Sequence, residues 1–526
     1  VSRLGILSLP IGREASLRPA DLIRRGRDRN PRGVAIGSAD GIRITHAELF
    51  DLVGARAATL QRIDPRPLSR VGICAGNSPG HIISLLAVLA AGKVWVPLNP
   101  KEPTESLRYK MELTQPSILI LDEANLDRDL AGEATVLVDA VGQAGTLAAA
   151  DANNAGRHPD LPASVGRESP QAIKFTGGST GKPKGVVQPY RSWIAQAASQ
   201  LHALALRSDD CFLVAAPVTH GTSCYLLPFL AAGGRLELPA SSSPRDILAP
   251  FIAGTATSTF MPPTMIYKLL DSESFMPEDF PRLRHLIYGA APMRAERIVE
   301  TQRRFGMVVE TTYGQTEASQ IATFLSAAEM ARPDLLSSVG REGLLSAVAI
   351  RDPSGLMLPR GELGEIVIGG DLLMSGYLNQ PEATSAAIVD GWLRTGDAGV
   401  IDEHGYLHIR DRLKEVIITG GFNIYPADVE SAIGQHGAVA ECVAFGLPDD
   451  YWGERVEAAV ELHEGSTASP DEIIGFAREK LGPVGTPKRL HVVTNLPRSP
   501  VGKVLRKEAR TLFLDSSQQT KQGKPQ

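Results

Sequence analysis

Short apolar runs separated by amphipathic stretches dominate the first third of the chain. Arg70–Ala75 (RVGICA) has the unbroken apolar character of a buried strand. Asn77-Ser78-Pro79 then supplies a helix start, with Ser78 as N-cap and Pro79 at the first helical position. The helix predicted from it runs to Ala91 and stops at Gly92-Lys93, and Val94–Pro97 is the next strand. This strand–helix–strand order predicts a parallel sheet with crossover helices. Residues 151–169, rich in Ala, Asn, Pro and Gly, read as a linker between two lobes. A second α/β stretch follows from Pro170 to about Tyr313. In it, Val214–Pro217, Thr259–Pro262 and His285–Tyr288 are predicted strand ends opening into loops, where parallel sheets place their ligands.

From Ala347 to His408 the texture changes to short strands with glycine turns, as in Gly361–Gly370, which predicts a small β-barrel or sheet. Beyond Arg412, helix and strand patterns alternate to about Arg510. The expected organisation is a large N-terminal α/β domain over 1–411, a small α+β domain over 412–510 and a disordered tail over 511–526. The most apolar helical candidate, Ile82–Ala91, falls short of the ~20 residues that span a bilayer, and the N-terminal stretch lacks a signal-peptide pattern. A cytoplasmic protein without a transmembrane segment is the expectation.

Composition narrows the chemistry. The chain has 526 residues, beyond the size at which one core stops growing. A net charge of −5 argues against a basic face for nucleic acid, and 5% aromatic residues against base-stacking platforms. Cys74, Cys211, Cys224 and Cys442 are irregularly spaced and form no CxxC pair, so reduced thiols are expected rather than a zinc site or a disulfide framework.

The most informative stretch is Phe175-Thr-Gly-Gly-Ser-Thr-Gly-Lys-Pro-Lys-Gly185. It packs four glycines, three hydroxyls and two lysines into eleven residues directly after an apolar strand. Glycines let backbone N–H groups approach a phosphate as an anion nest. Thr176, Ser179 and Thr180 add donors, and Lys182 and Lys184 add charge. It is not a Walker A loop, because Gly181-Lys182 is followed by Pro183 rather than Ser or Thr.

This stretch resembles the signature loop of the acyl-adenylate-forming superfamily, which includes the acyl-CoA synthetases. Gly177 stands where the family usually has Ser, so residue 177 is given no side-chain role. Further motifs follow in the family's order: Tyr288-Gly289-Ala290-Ala291-Pro292, Thr312-Tyr313-Gly314-Gln315-Thr316-Glu317, Arg394-Thr-Gly-Asp397, Asp411–Pro426 and Pro497–Arg506. The resemblance covers about residues 20–510.

It implies that ATP or AMP is held by Thr176, Gly178, Ser179, Thr180, Gly181, Lys184, Gly289, Ala290, Ala291, Thr312, Tyr313, Gly314, Gln315, Thr316, Asp397, Arg412 and Lys503. Tyr313 would stack on adenine, and Asp397 and Arg412 would take the ribose. Glu317 would hold Mg²⁺, which favours oxygen ligands and phosphates. Lys503, with Thr316, Glu317 and Lys184, would carry catalysis. His220, Thr222, Ser223, Gly289, Ala290 and Gly314 would line the acyl pocket, with Val218 and Tyr225 as further candidates. His220, Gly420, Gly421 and Phe422 would line a channel for the CoA pantetheine, and Lys414 would be the hinge of the mobile domain.

The implied reaction is ATP-dependent activation of a carboxylic acid to an acyl-adenylate, then transfer to CoA. Thr219-His220-Gly221 offers no Asp for an α-ammonium group, which disfavours an α-amino acid; medium-chain fatty, aryl and bulky alicyclic acids stay open, with a fatty or aryl acid ranked first. Transfer to an acyl-carrier protein is an alternative acceptor, and a catalytically silent nucleotide-binding module is an alternative of another class. Oligomeric state is not legible.

Overall fold

The computed structural model describes residues 17–139, 146–162, 164–176, 183–449, 451–498 and 504–522. The expected strand–helix–strand unit is present. Arg70–Cys74 and Val94–Leu98 pair in parallel, joined by helix Pro79–Ala90. The Ser78 hydroxyl accepts from His81 N at 3.0 Å, capping that helix. Every residue from Pro79 to Leu89 is buried, which explains its lack of a polar face.

These strands belong to a seven-stranded sheet. Its order is Gly376–Tyr377, Lys184–Pro189, Pro170–Thr176, Val94–Leu98, Arg70–Cys74, Ile118–Leu121, Thr135–Val138. A nine-stranded sheet runs from Arg341–Glu342 through Thr323–Leu325, Val309–Tyr313, His285–Tyr288, Ser258–Met261, Cys211–Leu213, Arg235–Leu238 and Val34–Ser38 to Arg43–Thr45. One core joins the two sheets. Val71, Ile73 and Trp95 of the first pack with Ile36, Phe212 and Phe260 of the second around the buried helices Pro79–Ala90 and Ser223–Ala232.

The glycine-turn region forms an antiparallel sheet of Ser346–Arg351, Gly364–Gly370, Trp392–Ile401 and Ile388–Val389, with Leu407–Arg412 paired to Trp392–Ile401. A further sheet, built from Ile417–Thr419, Phe422–Ile424, Val439–Asp449, Gly453–Leu462 and Arg489–Val492, packs with helices Pro426–Gly434 and Pro470–Gly485.

Two expectations need correction. The stretch after residue 151 does not link two lobes, because the strands on either side of it, Thr135–Val138 and Pro170–Thr176, lie in the same sheet. Two of its polar residues pack inward: Asp151 pairs with Arg56 at 2.9 Å, and Asn154, 2% exposed, bonds Thr59 at 3.0 Å. The tail is also more ordered than its polarity suggests. A helix spans Arg506–Gln522, and its Phe513 ring stacks on His491 at 4.0 Å and Phe445 at 5.7 Å. Phe513 and Leu514 anchor the start of the stretch expected to be a tail.

The four cysteines are free and buried. Among the described residues, no helix is long and apolar enough to cross a membrane.

Candidate active site

The phosphate-loop motif is the connection of a β-hairpin. Strands Pro170–Thr176 and Lys184–Pro189 are antiparallel, with Thr176 opposite Lys184. The structure thus fixes both ends of the loop. Gly178, Ser179, Thr180, Gly181 and Lys182 lie outside the described residues, as does Lys503. The hairpin's return strand reaches the Tyr-Gly-Gln-Thr-Glu segment directly, since Gln188 Nε2 donates to the Thr316 carbonyl at 2.8 Å.

Glu317 sits at the end of that segment. Its Oε1 accepts from the Tyr377 hydroxyl at 2.9 Å, and Lys184 Nζ lies 4.6 Å from the Tyr377 ring centroid. Burial and the neighbouring Glu317 carboxylate push the Tyr377 phenol well above its ordinary value, so it stays a proton donor. No hydrogen bond is formed by Glu317 Oε2 among the described residues. Nor do the described residues hold any cluster of three or more His, Cys, Asp or Glu able to bind a metal. One oriented carboxylate with an open oxygen suits a cation whose other ligands are water and phosphate oxygens. Tyr377 carries no motif of its own, and sequence reasoning missed it.

Asp397 gathers several of the residues assigned to the nucleotide. Its carboxylate, 4% exposed, accepts from the Tyr313 hydroxyl at 2.5 Å and from Gln315 Nε2 at 2.8 Å on Oδ2. On Oδ1 it pairs with Arg412 Nε at 2.7 Å. Gln315 Nε2 also donates to the Thr395 carbonyl at 3.0 Å. Burial, then the Asp397 charge, raise the Tyr313 phenol far above its usual range. Thr312 is a brace: its hydroxyl donates to the Thr323 carbonyl and accepts from Ile321 N, both at 3.0 Å.

The residues assigned to the acyl pocket pack close together at strand ends. A Cβ on Gly289 would lie 3.0 Å from the Thr312 carbonyl and 3.1 Å from the Phe260 ring. On Gly314 it would lie 2.9 Å from the Gln320 backbone. Ala290, which is exposed, holds φ +68, a left-handed conformation rare for a residue with a Cβ. Ala291 follows it, half-buried.

His220 lies in the irregular turn Val218–Thr222, with Nδ1 2.9 Å from the Thr219 hydroxyl. The residue keeps some exposed surface, but the protein packed around its ring penalises its charge. Burial first, then the Lys174 ammonium, hold it down to about 4, so the ring is neutral at pH 7. The Ser223 hydroxyl donates to the His220 carbonyl at 2.8 Å and accepts from Lys174 at 2.8 Å, while Thr222 is buried.

Gly420 and Gly421, expected to line the CoA channel, also meet a local requirement. They form the two-residue turn between Ile417–Thr419 and Phe422–Ile424, with φ +57 and +82, a conformation that demands glycine. A Cβ on Gly421 would meet nothing within 4 Å, and Phe422 is 58% exposed, so this face points to solvent. Lys414, exposed, sits in the single helical turn Leu413–Glu415. Across that turn, Arg506 binds Asp411 at 3.3 Å, Glu430 at 2.9 Å, and Glu415. Arg294 spans the same boundary, donating to the Ala440 carbonyl at 2.9 Å. No sequence motif flagged either arginine contact.

The chain matches the AMP-binding enzyme family over residues 23–378 and the AMP-binding enzyme C-terminal domain over 428–503. It belongs to this family. The acyl-CoA synthetase branch, expected from the motifs, is borne out, and the chain is an AMP-forming acid–thiol ligase. It is 34% identical to the feruloyl-CoA synthase of Amycolatopsis sp over 498 residues, covering 93% of this chain and 98% of that protein. It is 31% identical to the medium/long-chain-fatty-acid–CoA ligase FadD8 of Mycobacterium tuberculosis over 497 residues, covering 90% and 86%. Its fold is similar to that of ATP-bound MatB from Rhodopseudomonas palustris, with a TM-score of 0.88 at 29% identity, covering 95% of this chain and 100% of that one.

Proposed function

We propose that this ligase activates a fatty or aryl acid with ATP and passes the acyl group to CoA. One observation supports the site assignment: the six residues Thr312–Glu317 connect several of the assigned subsites. Tyr313 and Gln315 hold Asp397, Gly314 packs against the Gln320 backbone, Thr316 is tied to the phosphate hairpin through Gln188, and Glu317 reaches Tyr377 beside Lys184. A single rigid segment can therefore align sugar, α-phosphate and carboxylate, which is where positional catalysis originates.

In the first half-reaction a carboxylate oxygen attacks the α-phosphorus, and the bond to pyrophosphate breaks. Charge spreads over the phosphate oxygens, so catalysis is positioning and electrostatic stabilisation without a protein nucleophile. Lys184, at the end of the phosphate hairpin, is placed to offset phosphate charge. Mg²⁺, bound by Glu317 with Tyr377 fixing the carboxylate, would neutralise phosphate oxygens. Asp397 would accept from the ribose hydroxyls with Arg412 beside it. Lys503 is assigned the charge at the α-phosphate and incoming carboxylate by family resemblance.

In the second half-reaction the CoA thiolate attacks the acyl carbonyl carbon and AMP leaves. A rotation about Lys414 would remove Lys503 and bring the solvent-facing Gly420–Phe422 turn to the site, a hinge transition of known type.

The test is pyrophosphate release with Mg·ATP across fatty and aryl acids, with and without CoA. Continuous turnover only with CoA supports this reading. A single burst unaffected by CoA points to a carrier-protein acceptor, and ATP binding without release from any acid points to a silent nucleotide-binding module.

A further inference from the structure

Lys174 sits in the strand that runs into the phosphate loop, two residues before Thr176, and is 7% exposed. Its ammonium lies 5.3 Å from the Trp95 ring centroid and 5.2 Å from that of Trp193, both buried. Nζ donates to the Ser223 hydroxyl at 2.8 Å and approaches the His220 carbonyl at 3.5 Å. No carboxylate pairs with it among the described residues.

This is a costly place for a cation. An ammonium taken out of water without a counter-ion is strongly penalised, and two indole faces recover only part of that. Ser223 also opens the helix Ser223–Ala232, whose positive end disfavours a nearby cation. An apolar side chain of the same length would fill the volume without these penalties. What the ammonium alone supplies is a donor that reaches the turn Val218–Thr222. The Ser223 hydroxyl accepts from Lys174 and donates to the His220 carbonyl at 2.8 Å, so the two bonds form a relay. His220 needs holding from outside, because its φ −115 and ψ −143 break the helical turn around it.

We infer that Lys174 is a positioning residue for the acid side of the site: through Ser223 its ammonium fixes the His220 turn to the strand that runs into the phosphate loop, so that turn and loop keep one spacing. The inference rests on the acid-activating reading, which assigns the turn to the acyl pocket, and adds to it the element that registers acid against nucleotide. Electrostatics act from the same atom. The charges that face the His220 ring are those of Lys174, Glu102 and Lys110, and Lys174 acts most strongly. A neutral ring is therefore partly the work of the ammonium that holds its backbone.

The experiment compares the full chain with Lys174→Met, which keeps length and removes charge and donors, with Ser223→Ala, and with the double variant. Amide hydrogen exchange is followed across the turn Val218–Thr222, beside a thermal melt. In Lys174→Met the turn should exchange about tenfold faster or more, the scale of one hydrogen bond from a charged group, while the melt does not fall, because an apolar side chain replaces a buried charge. Ser223→Ala should loosen the same turn, and the double variant should add little, since both substitutions break one relay. With an acid that the wild type activates, Lys174→Met should raise KM for the acid about tenfold, with kcat and calorimetric AMP binding within about threefold. By NMR its His220 ring should bind a proton about threefold more tightly or more, a change absent from Ser223→Ala. A lower melt with exchange raised throughout the large domain marks Lys174 as ordinary core and overturns the inference. So does unchanged exchange at the turn, an additive double variant, or an unchanged acid KM. If the wild type activates no acid, the functional reading fails, and exchange at the turn together with the double-variant comparison still decides the inference.

Discussion

Replacing Asp397 by Asn tests the ribose assignment at single-atom resolution. The side chain keeps its size, but one oxygen becomes an NH₂ donor. In either amide orientation a donor meets a donor. With the nitrogen toward Oδ2's place it faces Tyr313 and Gln315; with the nitrogen toward Oδ1's place it faces Arg412. The Arg412 contribution is discounted, because that side chain is 49% exposed and its ion pair is screened. The loss then centres on charge-assisted hydrogen bonds at a buried carboxylate, about 1.5–3 kcal/mol. That corresponds to AMP binding about 10- to 150-fold weaker.

Calorimetric titration of AMP into both proteins reads this directly, since AMP binding needs no acid, CoA or turnover. A thermal melt without ligand reports separately on whether the Tyr313–Gln315–Arg412 cluster itself has loosened. Wild-type AMP affinity in Asp397→Asn, with an unchanged melt, would refute the assignment of this carboxylate to the sugar.

Glu317→Gln should keep the Tyr377 bond through its remaining oxygen but lose the charge that holds a cation. Mg·ATP-dependent pyrophosphate release should drop about 100-fold or more, with metal-free AMP binding within about threefold, by the same two assays. Gly420→Ala should melt lower than Gly421→Ala. Both strain a left-handed residue by about 1 kcal/mol, but only the first drives a Cβ to 2.7 Å from the Trp452 ring. His220 predicts a pH effect: its folded value of about 4 is below the unfolded 6.5, so the native state binds fewer protons as pH falls between them. Its share of stability is intact above 6.5 and is lost from there down to about 4, so melts at pH 7 and 5 should differ less in His220→Gln. Lys503→Ala should abolish adenylate formation while sparing thioester formation from supplied acyl-AMP, and an equal loss of both half-reactions would defeat the rotating-domain account.

The parts legible in the sequence were those written locally. Ser78-Pro79, the buried run behind it and the ordered motifs each spend their information within a few residues, so strand, helix and family could be read together. Contacts made across the fold were not legible. Tyr377 reaches Glu317 from a distant two-residue strand. Local chemistry also misled in places. The Gly420-Gly421 pair suggested clearance for a ligand, and the turn's left-handed geometry requires glycine there as well. Asp151 and Asn154 suggested a solvated linker, although their polar groups are used against the helix His46–Ile63.

The turn that carries Lys414 is flanked by two anchored residues. Arg412 holds Asp397, where the sugar is assigned, and Glu415 holds Arg506 at the head of the C-terminal helix. A nucleotide that competes for Asp397 therefore alters the tether on one flank, and a domain that swings must release Arg506 from Asp411 on the other. Ligand occupancy and domain orientation become linked variables. Linkage is reciprocal, so whatever free energy bound nucleotide contributes to one orientation, that orientation returns as nucleotide affinity. Severing Arg506 from Asp411 should then tune AMP affinity from a position that never touches AMP.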